Sequence, residues 1–333
     1  MKQRIGFIGS GNFTDKHQKL LARMDGVEVV GFCGKSMERA EQAARNWPNA
    51  KAYRTAEQMM DSAGLDALYI CIPPMAHGDM ERSAAERGIP FLVEKPLGID
   101  PAPLRPVRDL VVRSQLVTSV GYNWRYLDSV IRARELLQQA TTGLALGYWM
   151  GTMPKTPWWR RMQGSGGQFM EQSTHVVDLV RYLCGEITEV YAVYGNVHVH
   201  RTLEDMDVPD VGTVTMKLAG GIAATISNTC MLPRGHTNGL DMYTSEGVLE
   251  IRFSGLKEIG RDRTTEYRNL TDPYVQENTA FLHAVRTGDR SLIRSDYADA
   301  FRTFEATAAA NVSARERRPV RLNGSDGDLQ QES

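Results

Sequence analysis

Ile5-Gly6-Phe7-Ile8-Gly9-Ser10-Gly11-Asn12-Phe13-Thr14 decides how the rest of the chain is read. The apolar run at residues 4–8 is strand-like. It passes through a glycine cluster into a helix pattern carried by Leu20, Leu21 and Met24. Gly9 permits a tight turn, and Gly11 lets the backbone approach a pyrophosphate. The anion then sits at a helix N-terminus, where unpaired N–H groups and the helix dipole favour it. Inside βαβ units such a passage predicts a dinucleotide site, with Gly9, Ser10, Gly11, Asn12 and Phe13 as its loop. The third small residue of the fingerprint is replaced by Thr14.

The βαβ units follow. Strand-like runs at 27–33, 66–72, 90–93 and 116–122 alternate with helix patterns at 37–46, 79–86 and 103–114. Strands apolar on both faces and separated by helices belong to a parallel sheet covered on both sides. Residues 1–121 are therefore expected to form an α/β domain, a Rossmann doubly wound parallel sheet. After Tyr122 the rhythm changes to a helix at 129–140 and alternating segments at 189–200, 212–217, 222–228 and 240–245. Tight turns such as Ala219-Gly220-Gly221 join them. Residues 122–323 thus read as an α+β domain on a mostly antiparallel open sheet, closed by helices at 273–287 and 298–315. The polar stretch 324–333 is expected to be a disordered tail.

Composition narrows the function. The 333 residues carry 39 Lys and Arg against 40 Asp and Glu, so no excess of positive charge points to nucleic acid. No apolar run approaches the roughly 18–20 residues of a membrane span, and the N-terminus lacks a signal-peptide pattern. Cys33, Cys71, Cys184 and Cys230 lie far apart, without metal-ligand spacing, and read as free thiols of a reducing, cytoplasmic setting. His198 and His200 would share one face of a strand, but no third ligand accompanies them, so no metal is expected.

The choice of cofactor falls at the end of the second strand, Phe32-Cys33-Gly34-Lys35-Ser36-Met37-Glu38-Arg39. No carboxylate stands at the strand end, where one would bind the ribose 2′-hydroxyl of NAD. Gly34 leaves room, Lys35 and Ser36 offer donors, and Arg39 suits a 2′-phosphate. NADP is the favoured reading, and NAD stays open because Glu38 could reach a ribose.

Further motifs carry a resemblance. They run Gly9-Ser10-Gly11, Pro73-Pro74-Met75-Ala76-His77, Glu94-Lys95-Pro96, and Gly121-Tyr122-Asn123-Trp124-Arg125-Tyr126. Next come Gly166-Gly167-Gln168-Phe169-Met170-Glu171-Gln172-Ser173-Thr174-His175-Val176-Val177-Asp178 and the ending Arg317-Arg318-Pro319-Val320-Arg321-Leu322. In this order and spacing the chain resembles the glucose–fructose oxidoreductase / inositol dehydrogenase (Gfo/Idh/MocA) family from residue 5 to about 322. The resemblance implies an NAD- or NADP-dependent oxidoreductase acting on a secondary alcohol or carbonyl of a sugar or cyclitol. It also implies a second domain whose open sheet serves oligomerisation, hence a homodimer or homotetramer. By resemblance Lys95 sits beside the nicotinamide and the reacting oxygen, and His175 matches the catalytic histidine. Glu171 stands where many members carry Asp. Ile72 and Pro74 replace a threonine and an asparagine common in the family around Pro73, near the expected cofactor.

The chemistry of these residues agrees with such a role. Hydride transfer at an alcohol needs a group that takes the hydroxyl proton and returns it in reduction. Imidazole, with an unperturbed pKa near 6.5, serves both directions. Lys95 can donate to the substrate oxygen, with a structural pair to Glu94 as its plainer role. Glu171, His175 and Asp178 fall at helical spacing and read as one polar face, either catalytic or merely solvated. Asn123, Arg125 and Tyr126 follow the last Rossmann-type strand and either contact substrate or brace the domain junction. Trp158, Trp159 and Arg160 offer ring faces to sugar C–H surfaces and a cation to hydroxyls, or else form a packed loop. His77 and Glu94 belong to the cofactor region, as do Ile72 and Pro73. Two alternatives remain: an NAD-dependent inositol-type dehydrogenase, and a non-catalytic dinucleotide-binding sensor.

Overall fold

The computed structural model describes residues 2–322, so the expectation for 324–333 lies outside the described residues. The first sheet is built from β1 (Gln3–Ile8), β2 (Val27–Cys33), β3 (Lys51–Tyr53), β4 (Ala67–Ile70), β5 (Phe91–Val93) and β6 (Thr118–Val120). Between them run α1 (Asn12–Leu21), α2 (Met37–Ala44), α3 (Ala56–Ser62), α4 (Asp79–Glu86) and α5 (Arg105–Arg113). The strand order is β3-β2-β1-β4-β5-β6 and every pair is parallel. The order reverses between β1 and β4, which opens a crevice at the carboxyl ends of the strands. Hydroxyls start two of the helices: Ser36 accepts from the Arg39 N–H at α2, and Thr55 from the Gln58 N–H at α3.

Among the described residues the second sheet has nine strands, in the order β14-β13-β12-β11-β7-β10-β9-β8-β15. In sequence they are β7 (Thr142–Met150), β8 (Ile187–Gly195), β9 (Val211–Leu218), β10 (Ala223–Thr229), β11 (Thr237–Thr244), β12 (Gly247–Arg252), β13 (Gly255–Ile259), β14 (Thr264–Arg268) and β15 (Val320–Arg321). Only β7 and β10 pair in parallel. The helices of this half are α6 (Asp128–Leu137), α7 (Met162–Ser165), α8 (Gln168–Glu171), α9 (Thr174–Cys184), α10 (Pro273–Thr287) and α11 (Tyr297–Glu316). Val176, Val177, Leu179 and Val180 of α9 pack with Ala145, Ile226 and Met242 of the sheet. Outward positions Leu144, Tyr191, Val193 and Tyr243 stay exposed, so one sheet face is uncovered in the single chain.

The two closing helices return to the first sheet. Phe281 and Leu282 of α10 join the core around β1 and β2, where Phe281 meets Tyr69 edge-on at 5.6 Å. Tyr297, Phe301 and Phe304 of α11 enter the core around β5, while Ala306, Ala309 and Ala310 of the same helix enter the core of the second sheet. One helix therefore belongs to both cores and holds the two sheets in register.

One difference from the sequence reading matters below, and two observations stand beside it. The strand expected over 189–200 stops at Gly195, and Val199–Arg201 is a 3-10 turn, so His198 and His200 do not share a strand face. Among the described residues no group of three His, Cys, Asp or Glu side chains is arranged to hold a metal ion. Among them, too, no helix is long and apolar enough to cross a membrane.

Candidate active site

The site lies where β5 ends. The chain leaves Val93 through Glu94-Lys95-Pro96, with a cis Lys95–Pro96 peptide bond. Glu94 turns inward, its Oε1 2.9 Å from Nε2 of the buried His17 on α1. A Cβ on Gly121 would stand 2.7 Å from Glu94 Oε2, so glycine is what lets the end of β6 approach this carboxylate. The plainer role for Lys95, a pair with Glu94, is thus replaced. Lys95 reaches toward the second sheet instead, and its Nζ donates to the Glu171 carbonyl at 2.7 Å and to Glu171 Oε1 at 3.0 Å. The other carboxylate oxygen, Oε2, accepts from the indole Nε1 of Trp159 at 2.7 Å.

Glu171 and His175 are not on one continuous helix face, contrary to the sequence reading. Gly166 and Gly167 take φ of +72° and +87°, α8 lasts one turn, and α9 starts afresh at Thr174. Between them the Ser173 N–H bonds to the Gln168 carbonyl five residues back, a widened turn of the π type. Nor does this face meet water, because Thr174 through Arg181 are all buried. The His175 ring lies near parallel to Trp124 at 5.7 Å and to Trp149 at 6.0 Å, with Tyr122 edge-on at 6.0 Å. The Tyr122 hydroxyl pairs with Thr174 Oγ1 at 2.8 Å and ties down the first turn of α9. His175 Nδ1 is buried without a partner. Burial, reinforced by the Lys95 charge, holds this imidazole well below its ordinary pKa, so it is neutral near pH 7.

Asp178, one turn further along α9, has a different task. It accepts from Arg125 Nε at 2.7 Å, Arg125 Nη2 at 2.6 Å and Thr303 Oγ1 at 2.9 Å. Arg125 also donates to the Arg294 carbonyl and lies 2.5 Å from Asp299 Oδ2. The Tyr126 hydroxyl accepts the Arg294 N–H at 2.9 Å. Of the two roles expected for Arg125 and Tyr126, these contacts suit the brace at the domain junction, where the desolvated guanidinium is met by counter-charge. Trp159 is 2% exposed, packed with Val208 and Cys230, and its indole N–H is spent on Glu171. Of the two roles expected for it, the packed loop suits it and the sugar-facing ring does not. Trp158 and Arg160 are half-buried beside it, and Asn123 is buried with Oδ1 unpartnered.

The glycine loop fits a dinucleotide. Gly9 has φ +112°, and a Cβ there would be 2.1 Å from the Cys71 carbonyl, so only glycine allows β1 and β4 to end this close. Gly11 begins α1 with no side chain capping the helix, and a Cβ there would meet nothing within 4 Å. Open space thus lies before free N–H groups at the switch point, with Asn12 and Phe13 exposed. Thr14 is fully buried and fills the third fingerprint position. Gly34 and Ser10 are in contact, Lys35, Ser36 and Arg39 are exposed, and a groove of about 500 Å³ has Ser10 and Arg39 on its wall. Ile72 and Pro73 are half-buried just after β4. The His77 ring is buried and bonds through Nδ1 to Glu81.

Sequence reasoning missed several of these partners. Trp149 carries no signal beyond its place in a strand, and nothing local announces that Trp159 will reach Glu171. His17 and Glu277 are ordinary residues of helical patterns, yet both are fully buried. Glu277 has both carboxylate oxygens unpartnered, and burial, then the nearby Glu94, raises its pKa far above the usual carboxylate range.

Comparison with known proteins agrees with this architecture. Residues 3–122 match the family model described as an oxidoreductase family with NAD-binding Rossmann fold (GFO_IDH_MocA), and residues 132–250 match the GFO/IDH/MocA C-terminal domain. A myo-inositol 2-dehydrogenase of Thermotoga maritima is 22% identical over 331 residues, covering 96% of this chain and 98% of its own. The scyllo-inositol 2-dehydrogenase (NAD(+)) of Bacillus subtilis is 26% identical over 332 residues, covering 96% of each. The crystal structure of a levoglucosan dehydrogenase with NADH and levoglucosan superposes with a TM-score of 0.88 over 97% of this chain and 100% of that one. At 19% identity that likeness is one of fold.

Proposed function

The chain belongs to the GFO/IDH/MocA oxidoreductase family, and on that premise we propose that it is a dehydrogenase of a secondary alcohol or carbonyl on a sugar or cyclitol, with NADP as preferred cofactor. The observation that carries the reading is the meeting of Lys95, Glu171 and His175 beside the end of β5, next to an uncapped helix at the switch point. A bound nicotinamide supplies the hydride acceptor or donor. Two of the three Lys95 N–H bonds are directed to Glu171, which leaves the third for the substrate oxygen. His175 is neutral and its Nδ1 is enclosed, so Nε2 is the atom that takes the hydroxyl proton as hydride leaves carbon. In reduction the same atom returns the proton to the carbonyl oxygen. Glu171 holds Lys95 in place, and Asn123, Trp158 and Arg160 are the remaining candidates for substrate contact.

The nucleotide end supports NADP through what it lacks and what it shows. No carboxylate ends β2, while Lys35 and Arg39 are exposed beside the Ser10 loop. A second reading, an NAD-dependent inositol-type dehydrogenase, is favoured by the two inositol dehydrogenase relatives, one of them named for NAD(+). The exposed Glu38 in the first turn of α2 suits it. We place the nucleotide domain at 1–121 and the substrate domain at 122–323, with the uncovered sheet face joining copies into a homodimer or homotetramer. Titration with NADPH and NADH, then nicotinamide absorbance with a panel of sugars, ketoses and inositols, tests the cofactor and the reaction. Tight NADPH binding with turnover on one class is the expected result. NADH preference would reverse the cofactor assignment, and binding without turnover would favour the sensor.

A further inference from the structure

We propose that Trp159 is a positioning residue that acts on Lys95 through Glu171. This rests on the functional reading above and adds a supporting residue to the group formed by Lys95, Glu171 and His175. A glutamate has one more rotatable bond than an aspartate, so a single contact to Lys95 would leave its carboxylate free to swing. Here both ends are fixed. Oε1 and the backbone carbonyl hold Lys95, while Oε2 takes the Trp159 N–H at 2.7 Å.

Trp159 is itself immobilised. The Ser165 hydroxyl donates to its carbonyl at 2.8 Å, and the Asp207 N–H donates to the carbonyl of Arg160, the next residue. A Cβ on Gly164 would stand 2.1 Å from the Trp158 carbonyl, so the glycine allows α7 to close against this turn. The ring packs on Val208 and Cys230. A donor that cannot move fixes an acceptor that could, and the acceptor fixes the ammonium that must meet the substrate oxygen. A charge-assisted bond of this kind is among the stronger hydrogen bonds, and misplacement of a reacting group is costly in rate.

A double-mutant cycle on turnover is the test. Wild type, Trp159→Phe, Glu171→Leu and the double variant are assayed with the preferred nicotinamide on the substrate found in the panel, and their thermal unfolding is followed in parallel. Trp159→Phe keeps the packed ring and removes the N–H, and Glu171→Leu removes the acceptor. The kcat of Trp159→Phe should fall about tenfold with KM within about twofold, and the same change should alter kcat by less than about twofold once Glu171 is Leu. Losses that multiply in the double variant, or a loss carried by KM, overturn the proposal. Should Trp159→Phe fail to fold, Glu171→Asp opens the same bond from the acid side. A similar kcat loss with unchanged unfolding temperature supports the proposal, and wild-type kcat overturns it. Absence of wild-type turnover on every substrate removes the functional reading and this one with it, whereas wild-type turnover with multiplying losses removes only this one.

Discussion

His175 and Asp178 lie one turn apart on α9, both buried, and their surroundings are opposite. Asp178 is met by a bidentate guanidinium and a hydroxyl, and its counter-ion Arg125 is shared with Asp299. Burial pushes Asp299 up, but Arg125 and Arg181 outweigh it and hold the carboxyl below its usual range. His175 has aromatic rings around it, a positive neighbour in Lys95, and a ring nitrogen with no partner. A buried polar group whose bonds are all made is a fastener. One left incomplete costs free energy in folding, and such groups are retained more often where function uses them. The contrast separates junction from proposed active site within a single helix.

The sharpest way to break that contrast is on the active-site side. Lys95→Met should lower kcat by about 10²–10⁴, the range of a lost proton-handling or polarising group. Binding of the preferred nicotinamide, read by fluorescence titration, should stay within about threefold. Near-wild-type kcat would return the site to a structural pair. On the junction side the sign reverses. Asp178→Ala strips the partner from a buried guanidinium and should cost about 3–5 kcal/mol of unfolding free energy in denaturant titration. A loss under 1 kcal/mol would show that Arg125 is adequately neutralised by Asp299 alone.

How far this contrast could be read in the sequence follows from where each signal resides. The parallel sheet was legible because β1, β2, β4 and β5 are short apolar runs between helices, and the Gly9 turn is dictated by its own backbone. Strand β3 is three half-exposed residues, and β12 to β14 lie at the far edge of the second sheet with charged side chains such as Glu250, Lys257 and Glu266. Alternation there is too weak to announce a strand. The central strand β7 was missed for the opposite reason, since its Gly143 and Gly147 interrupt the pattern; at Gly147 a Cβ would stand 2.6 Å from Val176, so a helix packs there. The break between α8 and α9 has no glycine or proline at Gln172 or Ser173, so 3.6-residue periodicity ran through it and put Glu171, His175 and Asp178 on one face. The residue types of the site were legible. Which of them pair, and which are left open, depends on contacts between residues tens to hundreds of positions apart.

Glu277 carries the contrast to a third place, on α10 beside Glu94 and His17. An incomplete carboxylate there should act on stability alone. Its pKa is raised in the folded chain, so between the unfolded value near 4.5 and the folded value the folded state holds the extra proton. Stability from this group is therefore full at acid pH and is lost as pH rises. Glu277→Gln removes the ionisable group and keeps the shape. It should stabilise the protein by about 1–3 kcal/mol at pH 8 and change little at pH 4, measured by denaturant unfolding at both values. Destabilisation at pH 8 would mean that a partner completes this carboxylate after all.

The smallest effect tests His175 by the same linkage with the sign inverted. Its folded pKa is depressed, first by burial and then by Lys95, so below the unfolded value near 6.5 the unfolded chain takes up a proton that the folded chain refuses. Stability from this group is complete above about pH 6.5 and falls as pH drops, at a rate approaching about 1.4 kcal/mol per pH unit. His175→Gln should flatten the unfolding free energy between pH 7 and 5.5 by about 1 kcal/mol relative to wild type. If wild type and His175→Gln run parallel through that interval, the imidazole is not held neutral by the fold, and the difference between the two turns of α9 would have to be sought in geometry rather than in protonation.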